Sequence, residues 1–407
     1  MVATSQMQIG MIGGGVRSFM GPVHRAAIER ARNLKLVRGA FSETRQESLD
    51  CREPLGLGID DVYGAYRDFL RHEAKLPPES RVGFVAAVLP NMMHYPIAMT
   101  AMDAGVPVLG EKPFTVNLDE AANLVRKQRL TKVPYRIAMV YPAYPALVKA
   151  RKLIQEGELG NLRRFVFSYQ SGWMAQRIEN QTSRQALWRT DYRRNGMGGV
   201  VTACAADCQF VLEWLTGLSI SEVCATGRPT VPGRLIPDDA TVLVRTESGI
   251  AGVFMLSQIA IGHHDGLELE ITGAKASISW RQSRPGQLVI VTAEGKKTTL
   301  DEPSAEGTDP TCDLPYGANP AYVEALSLVY ADFADSLRGM RKAEHSVDDH
   351  ILGMSMEEGL RSVAVVEAMV KSMGNSLPDQ STYQFAQQQL KPPAPESKWV
   401  AVKMPVV

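Results

Sequence analysis

Short apolar runs alternate with amphipathic stretches over the first third of the chain. The run "MQIGMIGGG" predicts a buried strand that ends in a glycine-rich turn, and "GPVHRAAIERA" after it predicts a helix. The runs "LKLVRGAFS", "RVGFVAAVLPN" and "VPVLGEKPFT" predict three more strands, with the helical pattern "MMHYPIAMTAMDAG" between the last two. Strands that alternate with helices are typical of an α/β fold with a doubly wound parallel sheet. We therefore predict such a sheet for residues 1–135.

The pattern changes after this predicted sheet. A helix over residues 144–160 is followed by runs of alternating apolar and polar residues, among them "DDATVLVRTESGIAGVFMLSQIA" and "GLELEITGAKASISWRQ". Such alternation, with short turns between the runs, predicts a large and mostly antiparallel sheet. Amphipathic helices over residues 319–338 and 347–372 complete an α+β domain, which we predict to span residues 136–375. Residues 376–407 are rich in proline and glutamine and predict an arm or a loosely held tail.

Composition narrows the class of protein. A chain of 407 residues is too long for one hydrophobic core, which supports two domains. Lys+Arg and Asp+Glu both number 44, so no charge excess indicates nucleic acid or an anionic membrane as partner. The apolar runs are too short to span a membrane. The first residues lack the basic and apolar regions of a signal peptide, and the 5 cysteines do not indicate a disulfide framework, so we expect a cytoplasmic protein.

The glycine-rich turn after the first predicted strand has the composition of a dinucleotide-binding loop. Gly13 and Gly15 allow a tight turn and a close approach of the backbone to a pyrophosphate, beside the N-terminus of the following helix. Ser18 occupies the third glycine position of the Rossmann motif, and Arg17 is suited to contact a phosphate. We assign these residues and Phe19 of the same loop to a cofactor site. A tight turn without a ligand is the alternative.

The residues after the second predicted strand, "FSETRQ", bear on which nicotinamide dinucleotide binds. Ser42 and Arg45 are suited to a phosphorylated ribose, whereas Glu43 is suited to hydrogen-bond an unphosphorylated one. The residues by themselves leave both cofactors open.

Polar residues also follow the next predicted strands. Pro90 and Asn91 end one of them, and Glu111 and Lys112 end the other. Because ligands of open parallel sheets bind at the carboxyl ends of the strands, we assign all four residues to the cofactor site.

Several of these motifs together resemble the Gfo/Idh/MocA family of sugar and cyclitol oxidoreductases. The resemblance rests on "GMIGGG", "LPNMMH" and above all "AGVPVLGEKPFT", and it continues through "ELGNLRRF", "WRTDYRRNGMGG" and "VDDHILGMSMEEGLRSVAVVEA". It implies a nicotinamide cofactor and adds His94, Trp188 and Arg189 to the cofactor-binding residues. The segments "GAFSE", "WRTD" and "VPGR" resemble those of the branch of the family that includes levoglucosan dehydrogenase. The resemblance to that branch slightly favours NAD(H) as the cofactor of this chain, and NADP(H) is the alternative.

The resemblance also implies an assembly and a catalytic residue. It implies that the second sheet is open-faced and that its free face forms the interface of a homo-oligomer, a dimer or tetramer. It places Lys112 beside the nicotinamide and the substrate hydroxyl. A buried lysine beside an oxidised nicotinamide has its pKa lowered by burial and like charge. Such a lysine can hydrogen-bond an alkoxide or relay a proton, whereas a surface or salt-bridged lysine is the alternative.

The helix after Gly198-Gly199 departs from the family pattern. The family carries an Asp there and a His four residues later, usually as the general base. This chain has Ala203 and Asp207 at those positions, and no histidine lies between residues 94 and 263. Three interpretations stay open. Asp207 is the base itself, or it binds sugar hydroxyls while Lys112 or a tyrosine handles the proton, or the site binds without turnover.

Other residue types fit a carbohydrate site. Aromatic rings and a few placed polar groups are typical of such sites, and histidines in "GHHDG" are suited to bind hydroxyls. With Lys112 and Asp207 we therefore assign these residues to the substrate: Tyr141, Tyr144, Trp173, Arg189, Asp191, His263 and His264. Core packing for the tryptophans and a solvated turn for the histidines are the alternatives. Cys204 and Cys208 lack a second ligand pair, so we predict no metal site.

The combined prediction is a nicotinamide-dependent oxidoreductase. It would oxidise a secondary hydroxyl of a pyranose sugar, glycoside, anhydrosugar or cyclitol, with the proton handled by Lys112 and Asp207. One alternative enzyme retains the cofactor and encloses an elimination or epimerisation between oxidation and re-reduction. A ligand-binding or sensor protein on the same fold is the alternative outside enzymes.

Overall fold

We describe the protein from a computed structural model. The described residues are 6–31, 33–180, 188–196, 198–263, 266–302, 320–339, 352–374 and 397–407. Within these ranges no helix has the length and apolar character needed to cross a membrane.

The first part of the chain forms a five-stranded sheet in the order β2-β1-β3-β4-β5, and every neighbouring pair is parallel. The strands are β1 (Met7–Gly13), β2 (Leu34–Ala40), β3 (Val85–Val88), β4 (Val108–Gly110) and β5 (Tyr135–Ile137). The helices between and beside them are α1 (Gly21–Arg30), α2 (Arg45–Asp50), α3 (Tyr66–Lys75), α4 (His94–Asp103) and α5 (Leu118–Thr131). The predicted parallel α/β fold is confirmed.

The apolar runs explain why this sheet is buried. All four residues of β3 are buried, because helices cover both faces of a parallel sheet and leave no polar side. β1 lies between β2 and β3, so its carboxyl end opens toward the point where the chain crosses over. Ligands of such sheets bind at this edge.

The second part of the chain forms a nine-stranded sheet in the order β13-β12-β11-β10-β6-β9-β8-β7-β14. Its first strands are β6 (Leu162–Gln170), β7 (Ile220–Arg228), β8 (Asp239–Thr246), β9 (Ala251–Ser257) and β10 (Leu267–Gly273). The others are β11 (Ala276–Arg281), β12 (Gln287–Thr292), β13 (Lys297–Asp301) and β14 (Val400–Ala401). Only the β6–β9 pair among the described pairs is parallel, so the prediction of a mostly antiparallel sheet is confirmed.

Three helices pack against one face of this sheet, namely α6 (Pro145–Gln155), α8 (Val200–Thr216) and α10 (Met356–Ser372). The other two helices of this part are α7 (Tyr192–Asn195) and α9 (Pro320–Leu337), and α9 packs against α1. Residues of β8 alternate between buried and exposed, as expected for a strand with one face against the core and one face open. On the open face the side chain of Leu243 is 49% exposed.

Residues 397–407 belong to the segment predicted as an arm or tail. β14 pairs with the edge strand β7, and the Arg129 guanidinium on α5 donates a hydrogen bond of 2.8 Å to the carbonyl oxygen of Val407. This segment therefore contacts the second sheet and a helix beside the first. Residues 375–396 of the predicted arm lie outside the described residues.

A glycine precedes and another follows α8, the helix that carries Asp207. Gly199 precedes it with φ +52°, and a Cβ atom there would lie 2.1 Å from the carbonyl oxygen of Pro237. Gly217 follows the helix with φ +70°, but a Cβ atom there would meet nothing within 4 Å. Both positions favour glycine through backbone conformation, and only Gly199 also lacks space for a side chain.

We expect Gly199→Ala to lower the free energy of unfolding by about 3 kcal/mol, because backbone strain and overpacking add. Gly217→Ala is the matched control and should cost roughly 1 kcal/mol, from strain alone. Denaturant unfolding of the two variants at neutral pH measures the difference. Equal losses would show that the contact with Pro237 does not constrain the start of α8.

Candidate active site

A cavity of about 850 Å³ opens at the carboxyl ends of the parallel strands. The glycine-rich turn and the residues after β2 line one end of it. Lys112, Tyr141 and Asp207 line the other end, together with side chains from the second sheet. Ligand sites of enzymes commonly have this volume and this mixture of apolar and polar walls.

The glycine-rich turn forms a surface that side chains would fill. A Cβ atom on Gly13, where φ is +74°, would lie 2.1 Å from the carbonyl oxygen of Val88. One on Gly15 would lie 2.6 Å from the carbonyl oxygen of Phe41. Both glycines line the cavity, so the backbone itself is available to a ligand there.

Ser18 differs from the glycine of the usual motif for a local reason. α1 begins at Gly21, and the Ser18 hydroxyl accepts a hydrogen bond of 3.1 Å from the Gly21 backbone N–H. The serine thus binds one of the N–H groups that a helix leaves without an intrahelical partner. Arg17 and Phe19 of the same turn also line the cavity.

Acidic side chains gather after β2. Ser42 and Glu43 line the cavity as sequence analysis predicts, and Glu47 and Asp50 on α2 line it as well. The Ser42 hydroxyl donates a hydrogen bond of 2.9 Å to a Glu47 carboxylate oxygen. Glu47 and Asp50 were not predicted from the sequence, although their spacing along α2 places them near the strand end. Arg45 lies at the surface, with its aliphatic stem against Gly64.

Two arginines lie close to these acids. Arg17 Nη1 lies 3.9 Å from a carboxylate oxygen of Glu47, and Arg194 Nη1 lies 3.7 Å from one of Glu43. Both arginines line the cavity, and Arg194 was not predicted from the sequence.

Lys112 and Asp207 form an ion pair at the other end of the cavity. Lys112 Nζ lies 2.7 Å from Asp207 Oδ2 and 2.9 Å from the carbonyl oxygen of Ala203. It also lies 5.7 Å from the centre of the Tyr169 ring. Among the described residues two acceptors therefore bind Nζ, which leaves one of the three N–H groups of an ammonium for a ligand.

The pKa of Lys112 differs from the sequence-based expectation. Burial lowers the pKa of this ammonium, but the carboxylate of Asp207 opposes burial and the net pKa is raised. The expectation of a lowered pKa is therefore wrong for the protein without a cofactor, because it did not include the Asp207 partner.

Asp207 is buried in the first half of α8, with 4% of its side chain exposed. Burial raises the pKa of its carboxyl, although the Lys112 ammonium and a hydrogen bond from the Tyr141 hydroxyl oppose that rise. The Tyr141 hydroxyl also lies 3.4 Å from Gln282 Oε1. Because a hydroxyl has one proton, Tyr141 donates to one of these two acceptors at a time.

Glu111 directly follows β4, and His94 is the first residue of α4, the helix after β3. Glu111 lines the cavity, as do Pro90 and Asn91. His94 is buried outside the cavity lining, with Nδ1 2.6 Å from the carbonyl oxygen of Pro113 and Nε2 3.2 Å from that of Leu89. Burial lowers the pKa of His94. Its two hydrogen bonds join the segments that follow β3 and β4, so its contact with the cavity is indirect.

Aromatic side chains from both parts of the chain meet over the cavity. The rings of Phe19 and Trp173 stack with centres 6.4 Å apart. The Arg189 guanidinium lies 5.7 Å from the Trp173 ring centre and 4.7 Å from that of Trp188. All four side chains line the cavity.

Several predicted substrate residues lie outside the cavity lining. Tyr144 is buried behind Tyr141 against Trp280, with ring centres 5.4 Å apart. The Asp191 carboxylate accepts a hydrogen bond of 3.0 Å from the Arg193 backbone N–H at the start of α7. His263 is exposed, and His264 lies outside the described residues.

Four other lining residues could not be predicted from the sequence, because they lie far apart along the chain. They come from a strand, from the residues directly after two other strands and from a helix, namely Tyr169, Gln258, Gln282 and Tyr322. Cys204 also lines the cavity, whereas Cys208 is fully buried. Within the described ranges no three His, Cys, Asp or Glu side chains are grouped to hold a metal ion.

Two family models match this chain. The model described as oxidoreductase family, NAD-binding Rossmann fold, matches residues 7–139. The model of the GFO/IDH/MocA C-terminal domain matches residues 147–279. The two matches cover the parallel sheet and much of the second sheet, and therefore both walls of the cavity.

Curated relatives and solved structures agree with these matches. The uncharacterized oxidoreductase YfiI of Bacillus subtilis is 25% identical over 382 residues, which cover 91% of this chain and 95% of YfiI. Levoglucosan dehydrogenase of Pseudarthrobacter phenanthrenivorans is 23% identical over 360 residues, which cover 80% of this chain and 86% of that enzyme. The crystal structure of an inositol dehydrogenase homolog complexed with NAD+ from Azotobacter vinelandii has a TM-score of 0.82 at 23% identity. That match covers 98% of this chain and 100% of the homolog, and it shows a shared fold.

Proposed function

Since the chain belongs to the Gfo/Idh/MocA family of oxidoreductases, with the family's NAD-binding Rossmann fold, we propose that it is a sugar or cyclitol dehydrogenase. It oxidises a secondary hydroxyl of a pyranose sugar, glycoside, anhydrosugar or cyclitol. The observation that carries this proposal is the buried Lys112–Asp207 ion pair at the end of β4, inside the cavity that begins at the glycine-rich turn. Similarity to levoglucosan dehydrogenase and to an inositol dehydrogenase homolog supports the substrate class.

The residues present fit a nicotinamide dinucleotide. The surface formed by Gly13 and Gly15, which a Cβ atom would fill, suits a pyrophosphate beside the N-terminus of α1. Ser42, Glu43 and Glu47 suit the hydroxyls of the adenosine ribose. When bound, the cofactor supplies the hydride acceptor, and this chain orients it toward Lys112.

Lys112 and Asp207 handle the hydroxyl proton in this proposal. The remaining N–H of Lys112 binds the substrate oxygen, so Nζ lies next to the proton that leaves as the C–O bond becomes a carbonyl. An ammonium has no lone pair, so one proton of Nζ first passes along the 2.7 Å hydrogen bond to Asp207 Oδ2. The neutral amine that remains turns its lone pair to the substrate and takes the hydroxyl proton as the hydride leaves the carbon. The lysine stays cationic and the aspartate becomes neutral. Burial, which raises the pKa of Asp207, favours that protonated form.

The aromatic walls orient the substrate. The faces of Tyr169 and Trp173 suit the C–H faces of a ring, and the amides of Gln258 and Gln282 suit its hydroxyls. Tyr141 contributes its hydroxyl beside Asp207. Tyr144, Asp191 and His263 do not line the cavity and take no direct part in this proposal.

We also propose that NAD(H) is preferred over NADP(H). Glu43, Glu47 and Asp50 line the ribose end of the cavity, where their carboxylates repel a ribose phosphate. Arg17 and Arg194 are paired with two of these acids, which reduces their attraction for a phosphate.

We expect Glu47→Gln to weaken NAD+ binding about 10-fold and to narrow its preference over NADP+, because a ribose acceptor and a repelling charge are lost together. Glu53→Gln removes a carboxylate with an 86% exposed side chain outside the cavity and is the matched control. Titration of both oxidised dinucleotides by calorimetry measures the two affinities. An unchanged preference in Glu47→Gln would exclude Glu47 from the ribose site.

The open face of the nine-stranded sheet is suited to contact another copy of the chain. The free face of the nine-stranded sheet exposes Leu243 and Met255, which lie on neighbouring strands and are 49% and 37% exposed. We propose that this face joins copies of the chain into a homo-oligomer, a dimer or tetramer. Light scattering of the purified protein measures the mass that tests this.

The proposed activity is tested with purified protein, each oxidised dinucleotide and a panel of sugars, glycosides, anhydrosugars and cyclitols. Substrate-dependent growth of the reduced nicotinamide absorbance is the expected result. No growth, with a dinucleotide released on denaturation, would instead support an enzyme that re-reduces its intermediate after elimination or epimerisation. No growth and no dinucleotide affinity would overturn the enzyme proposal in favour of a ligand-binding protein.

A further inference from the structure

A chain of three buried side chains connects α9 to the cavity. The Tyr330 hydroxyl on α9 lies 2.7 Å from His24 Nδ1 on α1, and His24 Nε2 lies 2.8 Å from Glu111 Oε1. Tyr330 is 0% exposed, His24 2% and Glu111 8%. Glu111 alone of the three lines the cavity, directly before Lys112 in sequence. Neither Tyr330 nor His24 has a part in the proton transfer proposed above.

The positions of the protons on these three side chains follow from which of their atoms can only accept a hydrogen bond. A carboxylate only accepts hydrogen bonds, so His24 Nε2 carries a proton and donates it to Glu111. The Tyr330 hydroxyl is fully buried, and among the described residues its hydrogen-bond partner is His24 Nδ1. Nδ1 therefore accepts the hydroxyl proton, and the ring carries one proton in all, on Nε2. Every hydrogen bond in the chain therefore points toward Glu111 and stabilises its ionised form. Burial raises the pKa of Glu111, and the hydrogen bond from His24 and the charge of Lys112 oppose that rise.

Glu111 gives this end of the cavity a net negative charge. Lys112 (+1) and Asp207 (−1) form an ion pair and largely cancel each other at a distance. The −1 of Glu111 remains, since its partner His24 is neutral in this arrangement. In a site with little water such a charge acts on a bound ligand more strongly than it would at the surface.

The two redox states of a nicotinamide differ in charge on the ring, which is cationic when oxidised and neutral when reduced. We propose that Glu111, held ionised by His24 and Tyr330, binds the oxidised nicotinamide in preference to the reduced one. His24 and Tyr330 are then positioning residues of the cofactor site. This inference rests on the proposed function, which puts the nicotinamide ring beside Lys112. Weaker binding of the reduced form would also assist its release after hydride transfer.

The test is the ratio of dissociation constants for NAD+ and NADH, measured by calorimetry without substrate. We expect Glu111→Gln to raise the Kd of NAD+ relative to that of NADH about 10-fold, since a charge partner is removed. Tyr330→Phe keeps the ring and removes one neutral hydrogen bond, so it should change the ratio in the same direction by roughly 3-fold. Glu29→Gln removes an exposed charge from the same helix as His24 and should leave the ratio unchanged.

The measured ratios distinguish failure of the inference about Glu111 from failure of the proposed function. An unchanged ratio in both Glu111→Gln and Tyr330→Phe, with both cofactors bound, overturns the inference and leaves the proposed function intact. Equal weakening of NAD+ and NADH also overturns it, because a purely structural role does not distinguish the two charges. Wild-type protein that binds neither dinucleotide overturns the proposed function. If Glu111→Gln does not fold, the ratio in Tyr330→Phe decides by itself.

Discussion

Lys112→Met is expected to reduce turnover of the alcohol substrate roughly 10³- to 10⁴-fold, with NAD+ affinity changed only a few-fold. Methionine keeps the length and apolar stem of lysine but removes the N–H that binds the substrate oxygen. It also removes the group through which the proton reaches Asp207, 2.7 Å away. Single-turnover measurements of hydride transfer at saturating NAD+ separate this effect from cofactor binding.

Lys127→Met is the matched control for this substitution. Lys127 lies on α5 and pairs with Asp103 at the surface of the parallel sheet, outside the cavity. We expect its turnover to equal that of the wild type. Lys112→Met leaves the Asp207 carboxylate buried without its cation. The double variant with Asp207→Asn restores a neutral pair and is measured beside it. Turnover near wild type in Lys112→Met would remove Lys112 from the proposed mechanism.

Asp207→Asn is expected to reduce turnover roughly 10²- to 10³-fold while the protein still binds NAD+. Asparagine can accept a hydrogen bond from Lys112 but cannot accept the proton that Lys112 passes on. The wild type should lose kcat/KM as the pH falls through the pKa of Asp207, because only the carboxylate accepts a proton. Burial raises that pKa, so the loss should begin above the usual carboxyl range. In Asp207→Asn this acid limb should disappear from the profile.

The pH profile distinguishes the interpretations left open by the sequence. If Asp207 only binds substrate hydroxyls, Asp207→Asn should raise KM and leave kcat and its pH dependence unchanged. Asp60→Asn makes the same substitution at an exposed position outside the cavity and serves as the control. Wild-type turnover in Asp207→Asn would contradict the role of the carboxylate as proton acceptor.

The lysine and the aspartate also act on each other, so their effects should not add. Both side chains belong to one hydrogen-bonded pair, and removal of either interrupts the same proton path. The double variant is therefore expected to lose little more turnover than Lys112→Met alone. A loss equal to the product of the two single effects would instead indicate two independent roles.

The sequence by itself determined most of the cofactor half of this protein. The strand ends and the glycine-rich turn were predicted correctly in place, because the apolar period and the turn residues are local properties of the chain. Gly13 and Gly15 were identifiable since their positions need a backbone that only glycine adopts or fits. The parallel order of the strands followed from their alternation with helices.

Only the tertiary structure decided what surrounds the reactive end of the cavity. Lys112 and Asp207 are 95 positions apart, and Tyr330 lies 306 positions from His24. The ion pair reversed the expected direction of the Lys112 pKa, and Glu111 gained a buried partner that no local pattern indicates. Tyr144 and Asp191, plausible by residue type, were instead directed into the core and a helix cap. The physical reason is that charge and hydrogen bonding depend on which elements cross in space, whereas periodicity records only which side of each element is buried.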